Sequence, residues 1–382
     1  METETLLLNM GPVHPSTHGV LRFKLRMDGE IIRDCQIVMG YLHRGTEKLG
    51  EMNTYIQFIP YTDRLDYISA MPNNYAYVKA VEELAGIEVP QRAEYIRVLV
   101  MELNRIVNHL VLMGSLLLDL GASTMIMWGF RERETALQLY EMLCGARMTF
   151  NYIKPGGVRE DLPEGFIPKL NEFIKDMEKR IVDYDELVNG NEIFLMRTKN
   201  IGVISAEEAI NCGMTGPSMR GSGVDYDIRK LEPYSIYPDL DFKACMRREC
   251  DTYARYMVRL DEIRESLHIL KQIIDTIPAG KTVSSQRYGM APNTGEPSAV
   301  RSYFPRIFTP PPGEVYSRIE APKGELGFYI ASDGTTKPYR VKIRSHAFCN
   351  LVALPKMVVG LKIPDLVAAF GTFDIVLGDL DR

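Results

Sequence analysis

Two of the six histidines in this 382-residue sequence, His14 and His18, stand four positions apart in the stretch GPVHPSTHG. On a helix this spacing would place both imidazoles on one face, which is a zinc-binding arrangement. The prolines and glycines of the stretch disfavour a helix, and neither histidine is part of an H-E-x-x-H motif. Three interpretations stay open: a zinc site, histidines that hold a tight loop together by hydrogen bonds, and a histidine that faces a substrate cavity.

Asp119 lies at the end of a strongly apolar stretch, in SLLLDLGA. A carboxylate in such surroundings is expected to be buried and to need a partner. The alternative is that it reaches solvent at the last turn of a helix. If the partner is a histidine, the carboxylate would fix its tautomer and raise its pKa, which would make the ring a proton donor.

Residues 60–67, PYTDRLDY, place two tyrosines, two aspartates and an arginine within eight positions. A tyrosine phenol can donate a hydrogen bond to a carbonyl group while its ring packs on an apolar ligand. The segment 42–48, LHRGTEK, adds a histidine and further charges. The pattern fits a surface charge cluster as well as a site of proton transfer. Spacing alone therefore predicts only a polar cluster that can exchange protons.

The elements that must position these residues begin with a predicted β-hairpin over residues 20–40. Apolar and basic residues alternate from Leu21 to Met27, which is typical of a half-buried strand. Asp28-Gly29 is a preferred type I′ turn pair, so positions whose numbers sum to 57 are predicted to face each other. The hairpin would bring the opening loop next to residues 39–47.

The rest of the chain predicts an α+β fold with a central helical bundle. Helical periodicity is present over 70–86, 89–121, 131–145, 165–188 and 249–277. Short strands are predicted over 314–322, 325–334 and 339–345, and a last helix over 364–371. Residues 278–314 are rich in Pro, Gly, Ser and Thr and predict an extended loop. The predicted organisation is an N-terminal α+β region (1–75), a helical bundle (76–277) and a loop with a C-terminal α+β region (278–382).

The composition excludes several classes of protein. A net charge of −5 and a pI near 5.8 argue against a nucleic-acid binder that works by bulk electrostatics. The most apolar run is shorter than the ~20 residues that span a bilayer, and the acidic N-terminus does not have the pattern of a signal peptide. The six cysteines, at 35, 144, 212, 245, 250 and 349, form no C-x-x-C pair. This favours reduced structural thiols over a zinc or iron–sulfur site.

Several long motifs occur in order along the chain: GPVHPSTHGVLR, GYLHRGTEK, PYTDRLDY, LLLDLGA, GARMTFNYIKPGGVREDLP, GMTGPSMRGSGVDYDIRK, EAPKGELGFYIASDG and DIVLGDLDR. They closely resemble the family of complex I's quinone-site subunit, from about residue 8 to the last residue. The family shares its fold with the large subunit of nickel–iron hydrogenases, which hold their metal with one cysteine pair after the first hairpin and another near the C-terminus. The corresponding segments here, 39–45 and 373–382, contain no cysteine. The resemblance therefore implies the hydrogenase fold without its metal centre.

The resemblance also implies roles for individual residues. His18 and Tyr67 match the residues that hydrogen-bond the quinone head group at the end of a long tunnel. Asp119 matches the aspartate that pairs with that histidine. Arg44 matches an arginine near a terminal [4Fe–4S] cluster that a neighbouring small subunit holds, and Arg64 is expected to support the same region. No cofactor is expected to be bound by this chain alone.

The implied function is that of a subunit of a membrane-associated complex I-type oxidoreductase, in which the cluster reduces a quinone or quinone-like acceptor and the reaction is coupled to proton translocation. Expected partners are the small iron–sulfur subunit, other peripheral-arm subunits and a membrane-arm subunit at the quinone tunnel, on the cytoplasmic side of the cell membrane. The donor stays open between NAD(P)H, ferredoxin and a reduced deazaflavin. Two alternatives are an archaeal-type complex that reduces methanophenazine and a purely scaffolding subunit.

Overall fold

The computed structural model describes residues 5–13, 20–284 and 308–382. Both histidines of the opening stretch and most of the predicted loop over 278–314 therefore lie outside the described residues. The described ends of that loop contain no helix; Val283 forms an isolated bridge with Gly157, and strand pairing begins at Gly313.

The predicted α+β class is confirmed. The strands are β1 (Leu6–Val13), β2 (Leu21–Asp28), β3 (Ile31–Val38), β4 (Ile153–Lys154), β5 (Gly157–Val158), β6 (Gly313–Ala321), β7 (Gly324–Ser332) and β8 (Arg340–Arg344). The helices are α1 (Thr46–Met52), α2 (Tyr55–Thr62), α3 (Ala70–Ala85), α4 (Gln91–Asp119), α5 (Thr124–Cys144), α6 (Phe166–Asn189), α7 (Glu192–Thr198), α8 (Ala206–Asn211), α9 (Gly216–Arg220), α10 (Ile228–Leu231), α11 (Thr252–Thr276), α12 (His346–Leu351), α13 (Leu354–Val358), α14 (Ile363–Gly371) and α15 (Leu377–Leu380). The long predicted helices are present as α3, α4, α5, α6 and α11, although α5 begins seven residues before the predicted start at 131.

The N-terminal hairpin is present, but its predicted register is wrong. Asp28 pairs with Ile31, so the two-residue turn is Gly29-Glu30 instead of Asp28-Gly29. Gly29 takes the first turn position with a φ of 60°, a left-handed conformation that glycine adopts without a steric penalty. An irregularity one residue pair further on shifts the register again, and a turn signal alone does not predict it.

A further strand that the sequence does not predict, β1, pairs antiparallel with β2 along the free edge of the hairpin. It includes residues 11–13, which belong to the stretch whose prolines and glycines disfavour a helix. The pairing is irregular between Met10 and Val13, and Gly11 has a left-handed φ of 95°. The strand leads the chain into residues 14–19 at the end of the sheet where β3 leads into residues 39–45.

Helix α4 runs through the middle of the fold and is buried along almost its whole length. Helices α3, α5 and α11 pack against it. Its buried side chains include the acidic or basic groups of Arg97, Glu102, Arg105 and His109. Each has a partner of opposite charge or a hydrogen bond to one, which is the condition for placing such groups in a core.

The two ends of the chain fold together around a second apolar core. Phe23 on β2 packs edge-on against Phe370 on α14, with ring centroids 5.2 Å apart. The backbone N–H of Ile32 donates a hydrogen bond of 2.9 Å to the carbonyl of Leu361. The N-terminal hairpin therefore shares a core with the C-terminal helices, and the domain boundaries given above stay predictions.

Candidate functional site

Tyr67 lies in the short connection between α2 and α3. The carboxylate of Asp66 fixes this connection, because its Oδ1 accepts a hydrogen bond of 3.2 Å from the backbone N–H of Ile68. The Tyr67 ring is half-buried and packs against a small apolar cluster that includes Val111 of α4 and Val376 near the C-terminus. Tyr67 is thus held between α4 and the end of the chain.

A buried ion cluster lies next to Tyr67. Lys323 is completely buried, and its Nζ is 2.8 Å from Oδ2 of Asp66 and 3.5 Å from Oδ1 of Asp374. Oδ2 of Asp374 accepts a hydrogen bond of 2.6 Å from Nδ2 of Asn108 on α4. One ammonium group therefore lies between two carboxylates that are themselves almost fully shielded from water.

Lys323 reaches this position because it sits at the tip of the β6–β7 hairpin. The tip packs so tightly against the start of α9 that a Cβ on Gly216 would come within 2.3 Å of the Cα of Gly324. Both glycines have a positive φ, 66° and 130°. The side chain of Asn350 donates a hydrogen bond of 3.3 Å to the Lys323 carbonyl. These contacts fix the hairpin tip inside the protein and explain why its lysine is shielded from solvent.

The charges of the ion cluster affect the pKa of Tyr67 and the pKa of Lys323. Burial raises the pKa of Tyr67 above its ordinary value of 10, and the carboxylates of Asp66 and Asp374 raise it further. The charge of Lys323 lowers this pKa, but the other effects are larger, so the pKa of Tyr67 is raised. Burial by itself would lower the pKa of Lys323, but Asp374 and Asp66 outweigh this effect and raise it above its ordinary 10.5. At neutral pH the lysine is charged and the tyrosine keeps its proton.

Asp119 is the last residue of α4 and is exposed on the surface of this chain. Of the two interpretations given above, the one in which Asp119 reaches solvent at the last turn of a helix describes this chain, and Leu118 beside it is also 46% exposed. The Asp119 carboxylate has no hydrogen bond or ion pair with any described residue. Its surroundings nevertheless limit its hydration enough to raise its pKa to about 6. The pairing with His18 stays a prediction, because His18 lies outside the described residues.

Tyr67 packs beside α4, and Asp119 is the last residue of that helix. Tyr67 packs against Val111, and eight residues separate Val111 from Asp119 on α4. At ~1.5 Å per residue this is an axial distance of roughly 12 Å.

Arg44 and Arg64, which the resemblance assigns to one region, are indeed adjacent. Nη2 of Arg44 donates a hydrogen bond of 2.7 Å to the backbone oxygen of Arg64, and Nη1 of Arg64 donates one of 2.5 Å to the Pro60 carbonyl. Gly378, near the C-terminus, packs tightly against this pair of arginines: a Cβ added to it would lie 2.6 Å from the Leu65 carbonyl oxygen. Both arginines are exposed, so their guanidinium groups are presented on the surface.

The two segments that correspond to the cysteine-bearing segments of hydrogenases meet at a set of hydrogen bonds. The Asp381 carboxylate accepts the backbone N–H groups of Gly40 and Leu42 at 2.9 and 2.7 Å. Nδ1 of His43 lies 2.5 Å from the Asp381 carbonyl oxygen and therefore donates to it. Across the described residues, no group of three or more His, Cys, Asp or Glu side chains is arranged to hold a metal ion.

A second buried ion network connects α4, α9, α11 and β6. The carboxylate of Glu262 is 2.5 Å from Nη2 of Arg220 and 2.8 Å from Nε2 of His109. Nη1 of Arg220 is 2.8 Å from the carboxylate of Glu320. Burial lowers the pKa of His109 even though Glu262 opposes this, so the neutral ring donates its Nε2–H. The network ties the β6–β7 hairpin, and with it Lys323, to the helical core.

Three members of the ion cluster beside Tyr67 are not found by sequence reasoning: Lys323, Asp374 and Asn108. Only Lys323 leaves a signal, the Pro-Lys-Gly tripeptide at the junction of two predicted strands. Such a tripeptide is typical of a solvated hairpin tip, so the signal points away from the core. Asn108 and Asp374 are 266 positions apart, and no local pattern links them.

Comparison with known proteins assigns the family. The sequence model of one protein family, the 49-kDa subunit of respiratory-chain NADH dehydrogenase, matches residues 119–382. The chain belongs to this family. The D-type subunit of NADH-quinone oxidoreductase from Dehalococcoides mccartyi is 50% identical over 383 residues and 100% of both chains. The corresponding subunits from Clostridium beijerinckii and Bacillus cereus are 48% and 49% identical over 100% of this chain and 98% and 100% of theirs. The resemblance carried by the motifs is thereby confirmed.

Proposed function

We propose that this chain forms the site at which a membrane-associated complex I-type oxidoreductase reduces a quinone or quinone-like acceptor. The observation that carries the proposal is the Tyr67 phenol, half-buried beside the ion cluster around Lys323 in a member of this family. The name of the relatives, NADH-quinone oxidoreductase, supports the class of reaction. Electrons would come from a [4Fe–4S] cluster in a neighbouring small subunit, and this chain would bind and protonate the acceptor.

Tyr67 is the proposed proton donor to one oxygen of the acceptor. Reduction of a quinone by two electrons takes up two protons, and a phenol that keeps its proton at neutral pH can supply one of them. His18 would supply the other, held as a cation by Asp119. The raised pKa of Asp119 supports this pairing, because a carboxylate with limited hydration gains from an adjacent imidazolium.

Arg44 and Arg64 are proposed to face the small iron–sulfur subunit. Both are exposed, and within the described residues their guanidinium groups donate only to backbone carbonyls, so their charge is available to a neighbour. A membrane-arm subunit is proposed to cover the α4–α5 turn, where Leu118, Met127 and Phe130 are 46, 72 and 44% exposed. Among the described helices, none has the length and apolar character of a membrane span. The proposed location is peripheral, on the cytoplasmic side of the membrane.

Coupling to proton translocation is the finer part of the proposal. Loss of the His18 proton would leave the Asp119 charge uncompensated, and this change would drive a loop or helix shift that reaches the membrane arm. The Asp119→Asn variant tests the idea in the purified complex reconstituted into vesicles. Acceptor reduction without translocation supports the coupling role. Full translocation with normal reduction rules it out.

The Tyr67→Phe variant tests the acceptor site itself. Acceptor reduction by the purified complex and reduction of its iron–sulfur clusters are followed in the same samples, with menaquinone and methanophenazine analogues as alternative acceptors. Tyr61→Phe is the matched control, because this tyrosine lies in the same segment and stacks on Phe58 with ring centroids 5.9 Å apart. We expect normal cluster reduction and a collapse of turnover for Tyr67→Phe only. Unchanged turnover would favour the scaffolding alternative.

A further inference from the structure

We propose that Lys323 is a positioning residue for Tyr67: its buried ammonium compensates the negative charge left on the phenol oxygen when Tyr67 gives its proton to the reduced acceptor. The inference rests on the proposed function, in which Tyr67 is the donor. In this step the phenol O–H bond breaks and an acceptor O–H bond forms, while the electrons arrive through the neighbouring iron–sulfur subunit. The protein is left with a phenolate in a half-buried site, where its charge must be balanced.

The charges around Tyr67 make such balancing necessary. Asp66 and Asp374 are both carboxylates, and Lys323 is the cation that contacts them. The negative charge of Asp379 also interacts electrostatically with Lys323, and the positive charge of Arg259 interacts in the same way with Asp374. Without Lys323, a phenolate would face two buried carboxylates across a short distance. With it, the same phenolate has an ammonium group within electrostatic reach before the proton leaves.

The Lys323 ammonium has N–H groups that can donate hydrogen bonds to a new negative charge. Its contacts with Asp66 and Asp374, at 2.8 and 3.5 Å, are ion pairs that lack hydrogen-bond geometry among the described residues. An ammonium carries three N–H donors, so it can turn toward a phenolate, or toward a water between the two groups, without losing a bond. The backbone contact between Gly216 and Gly324 keeps the hairpin tip, and therefore the ammonium, in place during the reaction.

A purely structural role for Lys323 makes a different prediction. A lysine that only stabilises the fold affects turnover to the same degree whether or not Tyr67 has its hydroxyl group. A lysine that acts through Tyr67 has no further effect once the hydroxyl is removed. A double-mutant cycle separates the two roles.

The test is acceptor reduction by the purified complex carrying Tyr67→Phe, Lys323→Met, or both. We expect Lys323→Met to lower kcat by about tenfold or more, with the KM for the acceptor almost unchanged. The alkaline limb of the kcat profile is expected to move to higher pH, because the phenol becomes a weaker acid without the cation. In the Tyr67→Phe background the same substitution should have no further effect. Lys79→Met is the control, since this lysine on α3 pairs with Glu83 and does not contact the cluster.

Two further variants protect the test against a failure to fold. Lys323→Gln is also neutral and keeps a polar group beside Asp66, and it should reproduce the loss in kcat. Lys323→Arg keeps the charge and should restore most of the activity and the alkaline limb. Equal losses of kcat in both Tyr67 backgrounds would overturn the positioning role. A Tyr67→Phe variant with normal turnover would instead overturn the proposed function on which it rests.

Discussion

Asp63 is a buried carboxylate in the segment that carries Tyr67, and its ionisation tests the packing of that segment. Its side chain is completely buried, and its Oδ2 accepts a hydrogen bond of 2.9 Å from the backbone N–H of Asn151. Within the described residues its Oδ1 has no hydrogen-bond partner. Burial raises the pKa of Asp63 from 3.8 to about 7, although the Asn151 hydrogen bond and the charge of Arg64 oppose the shift.

The sign of the pH dependence follows from the raised pKa. Since the folded protein binds this proton more tightly than the unfolded chain, the contribution to stability is complete below about pH 4 and is lost as the pH rises to about 7. For a folded pKa of about 7, the loss between pH 5.5 and pH 8.5 is about 2 kcal/mol. With ~2.1 cal/mol/K of unfolding entropy per residue, the 382 residues convert this into roughly 2.5 °C of Tm.

The assay is equilibrium unfolding of the full chain, wild type against Asp63→Asn, at both pH values. An asparagine side chain cannot ionise and keeps an oxygen for the Asn151 N–H. The difference between the two proteins removes the contribution of other titrating groups, so the variant is expected to gain about 2 kcal/mol relative to wild type at the higher pH. Asp176→Asn, on the exposed side of α6, is the control and should show no gain. A variant whose stability follows the wild type at both pH values would refute the reasoning.

The remaining predictions concern the buried network and the hairpin tip. Glu102→Ala leaves the buried guanidinium group of Arg105 without its carboxylate and leaves Arg229 with Asp227 alone, so the unfolding free energy in denaturant melts is expected to fall by ~3–5 kcal/mol. A loss below ~1 kcal/mol would show that water reaches the network. Gly216→Ala, with a φ of 66° and a backbone atom 2.3 Å from the new Cβ, is expected to lose more than ~3 kcal/mol in the same melts. Gly29→Ala has a similar φ of 60° and nothing within 4 Å, so it should lose only ~1–2 kcal/mol. Equal losses for the two glycines would contradict the close contact at the hairpin tip.

The parts of the fold that the sequence predicts are those whose signal is local. The long helices and the C-terminal strands carry their periodicity within one segment, and their bounds agree with the structure to within a few residues, except at the start of α5. The register of the first hairpin does not follow from its turn pair, because the φ of Gly29 and an irregularity in the strands decide it. Strand β1 is too irregular to be recognised before its pairing with β2 is known.

In the candidate site, too, the residues with a local sequence signal are predicted and the contacts between distant segments are not. The motif around Tyr67 is recognisable because its residues are contiguous, and the adjacency of Arg44 and Arg64 follows the expectation that both belong to one region. Asp119 is placed correctly at a helix end, but its exposure depends on how far α4 extends beyond the core. The ion cluster joins Asp66, on a loop, to Lys323, on a distant hairpin. Only the packing of the two ends of the chain against α4 creates this cluster.

The raised pKa and the exposure of Asp119 indicate which kind of group must lie beside it when a partner binds. Its pKa is already raised to about 6 by limited hydration while the carboxylate is still exposed. A partner that covered the α4–α5 turn would remove more water and raise the pKa further, unless a positive charge or hydrogen-bond donors were supplied at the same time. A protonated, neutral Asp119 would not hold an imidazolium. An acceptor site that uses Asp119 as a charged group therefore needs a cation or hydrogen-bond donors beside it when the partner is bound, and the proposed pairing with His18 meets that condition.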